Sequence, residues 1–90
     1  RDVIKEYYAK VKGFFIKEDA LKLSGGIMLN GVKTKPAKFK LDKYDKKSDT
    51  SYVKVIITEG RNHQVRNMFM ALGYDTVKLK REKYFRFKRT

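Results

Sequence analysis

The 90-residue chain has no cysteine, one histidine and one proline, and its 10 acidic residues face 23 lysines and arginines. Without cysteine there are no disulfide staples and no thiolate-bound zinc, and a single imidazole is too little for a protein-built transition-metal site. No protein-built metal site is therefore expected. Nowhere do 18 apolar residues follow one another, and no basic start leads through an apolar block to a small-residue cleavage site. Neither a membrane span nor a secretory signal is read, and a cytoplasmic location is expected. The shortage of acid leaves a formal net charge of +13, a field that attracts nucleic acid or an anionic surface.

What the chain does contain is enough to fold. Hydrophobic residues make up 41% of it, including six tyrosines and six phenylalanines, whereas disordered chains are poor in aromatic and β-branched residues. The length allows one domain with a modest core. A start at Arg1 rather than at methionine suggests a processed or excised piece.

Residues 5–12 alternate, with Tyr7, Ala9 and Val11 on one face and Glu6, Tyr8, Lys10 and Lys12 on the other, which predicts a half-buried strand ended by Gly13. Residues 16–23 form a short helix stopped by Ser24-Gly25-Gly26. Residues 27–29 step into the turn dipeptide Asn30-Gly31, and Pro36 disfavours helix at Lys35. A strand over 38–44 points Phe39 and Leu41 inward, a polar loop covers 45–51, and residues 52–58 are the most apolar strand. Val65, Met68, Phe69 and Leu72 share one helical face, closed by Gly73. A last strand runs from 76 to about 87, carrying Val77 and Leu79. Short turns dominate the connections, so the expected fold is α+β: an antiparallel-rich mixed sheet with two helices on one face, in a ferredoxin-like split β-α-β arrangement.

The segment Glu59-Gly60-Arg61-Asn62-His63-Gln64-Val65-Arg66 sets two guanidiniums, an imidazole and a carboxamide around one strand-to-helix turn. Backbone N–H groups at a helix start favour anions, and arginine forks fit phosphate or carboxylate, so the turn suits a polyanion or a buried carboxylate. A solvated basic helix start would have the same composition.

Four motifs then align with one family. Lys5-Glu6-Tyr7, with Ala9, Val11 and Gly13 following, resembles the Lys-x-Tyr strand of bacterial RNA pseudouridine synthases. Residues 29–37, Leu-Asn-Gly-Val-Lys-Thr-Lys-Pro-Ala, resemble that family's Leu-x-Gly-x-x-Thr-x-Pro-Ala. Residues 59–69 resemble its Glu-Gly-Arg/Lys-x-x-Gln-Val-Arg/Lys-x-Met-Phe, continued by Ala71-Leu72-Gly73-Tyr74, and Leu79-Lys80-Arg81 fits its Leu-x-Arg. The ribosomal type is the most similar subgroup. The resemblance implies an isomerase that breaks the uridine C1′–N1 bond, rotates the base and rejoins it through C5 without a cofactor. It also implies that Tyr7 stacks on the flipped base and that Arg66 pairs with the catalytic aspartate. Arg61, His63, Gln64, Lys35 and Arg81 are expected to contact ribosomal RNA, the implied partner. For the residues alone, Tyr7 fits an ordinary strand-face aromatic equally, His63 an exposed first-turn residue, and Gln64 a turn brace. Lys33, Lys35, Lys38, Lys40 and Lys43 read as a solvated face or a track for phosphates.

The family's aspartate lies in an upstream Gly-Arg-Leu-Asp segment, and none of Asp2, Asp19, Asp42, Asp45, Asp49 and Asp75 has that context. The later Gly-x-x-Arg-x-Leu segment is also missing, and Asn67 replaces a frequent second arginine, weakening one expected phosphate contact. The chain is thus expected to be the C-terminal portion of a catalytic domain, lacking its N-terminal half and inactive alone. A stand-alone basic RNA-binding module without catalysis is the alternative. An anionic-surface binder ranks third, because the basic residues alternate with apolar ones along strands instead of lining an amphipathic helix.

Overall fold

The alternation in the first strand is the pleat at the centre of the sheet. The computed structural model of the chain describes residues 4–85, with side chains through residue 82. Its elements are β1 (Ile4–Lys12), α1 (Lys17–Gly25), β2 (Met28–Leu29), β3 (Val32–Lys33), β4 (Lys38–Asp45), β5 (Thr50–Ile57), α2 (Gln64–Ala71) and β6 (Thr76–Phe85). Four strands join in the order β4-β5-β1-β6, and every neighbouring pair is antiparallel. It follows that β1 and β4 run parallel with β5 between them, and β5 and β6 run parallel with β1 between them. Each helix is the crossover of one split β-α-β unit, which is the ferredoxin-like plan.

Period-two burial decides which face the helices cover. Ala9 and Val11 of β1, Phe39 of β4, and Val53, Val55 and Ile57 of β5 form one core with Leu23 of α1 and with Val65, Met68 and Phe69 of α2. Both helices therefore pack on the same face. Phe69 is the hub of this layer, fully buried and edge-on to Phe15 and Phe39 at 5.5 Å each, and to Tyr74 at 6.4 Å. Such T-shaped pairs add to what burial alone contributes. Tyr74 ties the helices together through its hydroxyl, which donates to Asp19 Oδ2 at 2.6 Å and accepts the Ile16 N–H at 3.3 Å. Burial, then the Asp19 hydrogen bond, raises its pKa, so it stays a donor at all ordinary pH.

The chain between α1 and β4 carries the β2–β3 hairpin, closed by Asn30 and Gly31 at φ 53° and 80°, the positive pair that a two-residue primed turn needs. Thr34 pins its base. Its N–H donates to Ile27 O at 2.8 Å, and its hydroxyl accepts the Ile27 N–H at 2.9 Å. Gly26, at φ 102°, lies so close that a Cβ there would meet Thr34 O at 2.5 Å; only glycine fits.

One expectation is corrected. The loop over 45–51 is only the turn 46–49, because Thr50 and Ser51 are buried in β5. Ser51 belongs inside because its hydroxyl donates to Gly13 O at 2.6 Å and accepts the Phe15 N–H at 2.9 Å, bonds that a polarity count does not foresee. The strand expected over 52–58 is the best-buried of the sheet, as β5, with Lys54 exposed and Ile56 half-buried on the face away from the helices. Val77 of the last strand is 50% exposed: Lys10 pairs with Lys78 but Val11 with Thr76, which leaves Val77 as the extra residue of a β-bulge. Residues 86 and 87 of the expected last strand lie outside the described residues.

Phe69→Ala should destabilise the fold by about 3–5 kcal/mol, read as a lower midpoint in urea unfolding followed by circular dichroism. Tyr74→Phe, which removes the bond to the partly buried Asp19 carboxylate and the weaker one from the Ile16 N–H, should lower it by about 2–3 kcal/mol.

Candidate active-site cleft

Where β5 ends at Ile57 the chain must turn to start α2, and a carboxylate organises the turn. Glu59 Oε2 accepts the Lys35 N–H at 2.8 Å and Gln64 Nε2 at 2.9 Å, while Gln64 Oε1 accepts the Arg61 N–H at 3.2 Å. Gln64 is buried; both ends of its amide are committed to the turn. Burial alone would push the Glu59 carboxyl up. The Lys35 N–H, the Gln64 amide and the charges of Arg61 and Lys35 outweigh it and hold the pKa below its ordinary value.

Arg61 folds back onto the hairpin. Its Nη2 donates to Leu29 O at 2.6 Å and, with Nη1, to Val32 O at 3.3 Å. The segments that carry Leu29 to Ala37 and Glu59 to Phe69 are thus fastened to each other twice, by the Arg61 guanidinium and by the Glu59 carboxylate. His63 then takes the N-cap of α2 at φ 49°, ψ 33°, with no side-chain cap. Left-handed backbone is uncommon outside glycine and costs energy, and it persists where neighbouring contacts hold it. Here the anchored Arg61 and Gln64 flank it on both sides.

These elements enclose a cavity of about 100 Å³. Tyr7 and Leu79 form its sheet side, and Gly60, Arg61, His63, Gln64, Val65 and Arg66 form the opposite wall. Arg66 reaches from the first turn of α2 to Thr76 O, at a long 3.3 Å. Beside it the Thr76 hydroxyl is buried and, among the described residues, without a hydrogen-bond partner. Arg81 pairs with Tyr7 across the β1–β6 ladder, its guanidinium carbon 5.8 Å from the Tyr7 ring centroid. Among the described residues no acid lines the cavity.

Of the residues singled out in the sequence, the structure brings Tyr7, Arg61, His63, Gln64 and Arg66 around this one cavity and sets Arg81 against Tyr7. Lys35 is exposed and does not line it; its backbone N–H holds Glu59 instead. Two participants were quoted in the motifs without a role of their own. Glu59 is the hub of the turn, and Lys5 lies against Gly60, where a Cβ would collide with its Nζ. An acid placed where an apolar strand ends, in so basic a chain, was the available signal for Glu59.

Residues 1–71 match the family described as RNA pseudouridylate synthase. The chain belongs to the RNA pseudouridylate synthase family. It is 53% identical over 83 residues to the ribosomal large subunit pseudouridine synthase B of Bacillus subtilis, covering 92% of this chain and 34% of that protein. It is 49% identical over 61 residues to the ribosomal small subunit pseudouridine synthase A of Haemophilus influenzae, covering 64% and 23%. A crystal structure of a pseudouridylate synthase superposes with a TM-score of 0.79 at 34% identity, covering 91% of this chain and 34% of that one. The chain thus spans about a third of the length of the Bacillus relative and of the solved structure.

A carboxylate with a lowered pKa stabilises the fold at pH above its ordinary range, and that stabilisation is lost as pH falls through the folded-state pKa. Acidification below the carboxyl range should therefore release the Lys35 N–H, seen as a lower protection factor for Lys35 after correction for the intrinsic exchange rate at each pH. Glu59→Gln should reproduce that release at neutral pH and lower stability by about 1–1.5 kcal/mol.

Proposed function

We propose that this chain is the part of a ribosomal RNA pseudouridine synthase that supplies the base-stacking tyrosine and the aspartate-pairing arginine, the catalytic aspartate coming from a Gly-Arg-Leu-Asp segment outside it. The observation that carries this reading is a cavity with an aromatic side chain on one wall, arginines on the other, and no acid among the described residues that line it. A uridine taken out of its stack needs an apolar face with a polar tip, as Tyr7 provides. An aspartate inserted beside it needs a fixed cation to stay ionised, and arginine does not deprotonate to escape the pairing. The weak bond from Arg66 to Thr76 O is easily exchanged for a carboxylate.

The reaction moves the uracil from N1 to C5 attachment, with the C5 proton lost and N1 protonated, so composition is unchanged. Nothing in that balance calls for a redox cofactor. Arg81 behind Tyr7 and His63 at the cavity rim are the residues best placed to meet the target strand, while Arg61 and Gln64 hold the cleft in shape. Ribosomal RNA is the partner and the cytoplasm the compartment. Among the described residues no helix is long and apolar enough to cross a membrane. The apolar hollow between Ile4, Pro36, Ala37 and Ile56 is the ground against which the remainder of a catalytic domain would pack.

The test is a chimera in which this chain replaces the matching 83 residues of the Bacillus relative. In a strain lacking that enzyme, it should restore pseudouridine at the relative's site in ribosomal RNA, whereas this chain alone should modify none. In the chimera, Arg66→Gln should cut single-turnover rate at least a hundredfold with RNA affinity changed less than about threefold, because an unpaired buried carboxylate costs roughly 3–5 kcal/mol. Tyr7→Phe should keep much of the rate and Tyr7→Ala little. A chimera that folds and binds but never modifies, or an Arg66→Gln that loses binding instead of rate, rejects the reading.

A further inference from the structure

The sheet has a second face, which neither helix covers and the cleft does not use. Side chains alternate across a strand, so Tyr7 points into the cleft and Tyr8 to the opposite side. The ladder registers arrange this open face in two cross-strand rows. In one, Lys80, Tyr8, Lys54 and Lys40 stand side by side; in the next, Lys78, Lys10, Tyr52 and Lys43 do. Lysines directly opposite each other, Lys10 with Lys78 and Lys54 with Lys40, weaken a sheet. No acid stands in either row to relieve them.

The two tyrosines are held as a platform between those lysines. Their rings lie 5.9 Å apart and nearly parallel, at 30°. The Lys10 and Lys43 ammonium groups sit 5.6 and 4.9 Å from the Tyr52 centroid. The Tyr8 hydroxyl is tied to Asp42, and Asp42 reaches it because it is the extra residue of a β-bulge between Leu41 and Lys43. Over the two rows lies a shallow cavity of about 410 Å³, walled by Tyr8, Lys10, Tyr52, Lys78, Leu79 and Lys80. Glu6, Asp42 and Glu82 gather with Lys54 and Lys80 in a separate hollow beside Tyr8, so the face has a basic and a more acidic end.

We propose that this open face is a second nucleic-acid site, taking single-stranded RNA with bases stacked on Tyr52 and Tyr8 and phosphates on Lys10, Lys43, Lys78 and Lys80. Aromatic faces accept any base, and surrounding ammonium groups follow a backbone. A duplex hides its base faces and would engage the lysines alone. The site is separate from the cleft and does not depend on its reading. The two cavities meet only at Leu79 on the edge strand β6, which lines both.

The experiment uses the 90-residue chain with fluorescein-labelled twelve-residue oligouridine and oligoadenine, measured by anisotropy. Tyr52→Ala should weaken both about tenfold, the loss of one stacked base, while Tyr52→Phe should bind as the parent does. Lys10→Ala with Lys78→Ala should reduce the slope of log affinity against log salt by about 1.4. Lys17→Ala, a lysine lost from α1, should change neither affinity nor slope beyond the effect of one distant charge. The unmutated chain supplies a test that no folding defect can obscure: 4-thiouridine oligomers irradiated on it should crosslink to peptides containing Tyr8 or Tyr52. Crosslinks confined to residues 60–66, equal affinity for a blunt duplex, or indifference to Tyr52→Ala would overturn the proposal.

Discussion

The pleat of β1 is the constraint on which the rest of the molecule depends. This strand is central, hydrogen-bonded to β5 on one side and β6 on the other, so its period-two alternation is imposed on both neighbours. Ala9 and Val11 close the core, Tyr7 ends the same row at the cleft, and Tyr8 and Lys10 are turned to the opposite face. A one-residue slip would exchange these roles together. Fully buried Ala9 and Val11 make such a slip costly, because it would place Tyr8 and Lys10 under the helices.

With the sheet in register, the cleft is built by a small number of polar bonds from distant parts of the chain. Glu59 and Arg61 belong to a turn with no regular structure, and a turn of this kind is ordinarily mobile. Here the Glu59 carboxylate holds the backbone at Lys35 and the amide of Gln64, and the Arg61 guanidinium holds two hairpin carbonyls. The effect is to give Arg66 a fixed origin on α2 and to keep His63 in left-handed backbone. A side chain is positioned no better than the segment that carries it.

Basic charge is arranged differently on the two sides of the sheet. At the cleft, guanidiniums are few, directional and largely engaged by backbone carbonyls. On the open face, ammonium groups are many, opposed to each other, and interleaved with tyrosine rings. Geometry matters more than a uniform +13 field would suggest: the first arrangement suits one buried anion, the second a flexible polyanion.

The sequence by itself determined the elements and the local motifs. Alternation over residues 5–12 and 38–44, the helical spacing of Val65, Met68, Phe69 and Leu72, and the Asn30-Gly31 turn are all short-range patterns, and each marks a real element. The gathering of Tyr7, Gln64 and Arg66 was legible too, because the motif segments that carry them resemble a known family. Tertiary structure alone decided the rest. The Ser51 bond to Gly13, the Glu59 bond to Lys35 and the Arg61 bond to Leu29 join residues 38, 24 and 32 positions apart. The bulge that exposes Val77, and the one that aims Asp42 at Tyr8, depend on how two strands pair. No single strand's pattern contains that information, because a side chain's face comes from its own strand and its neighbour from the register of another.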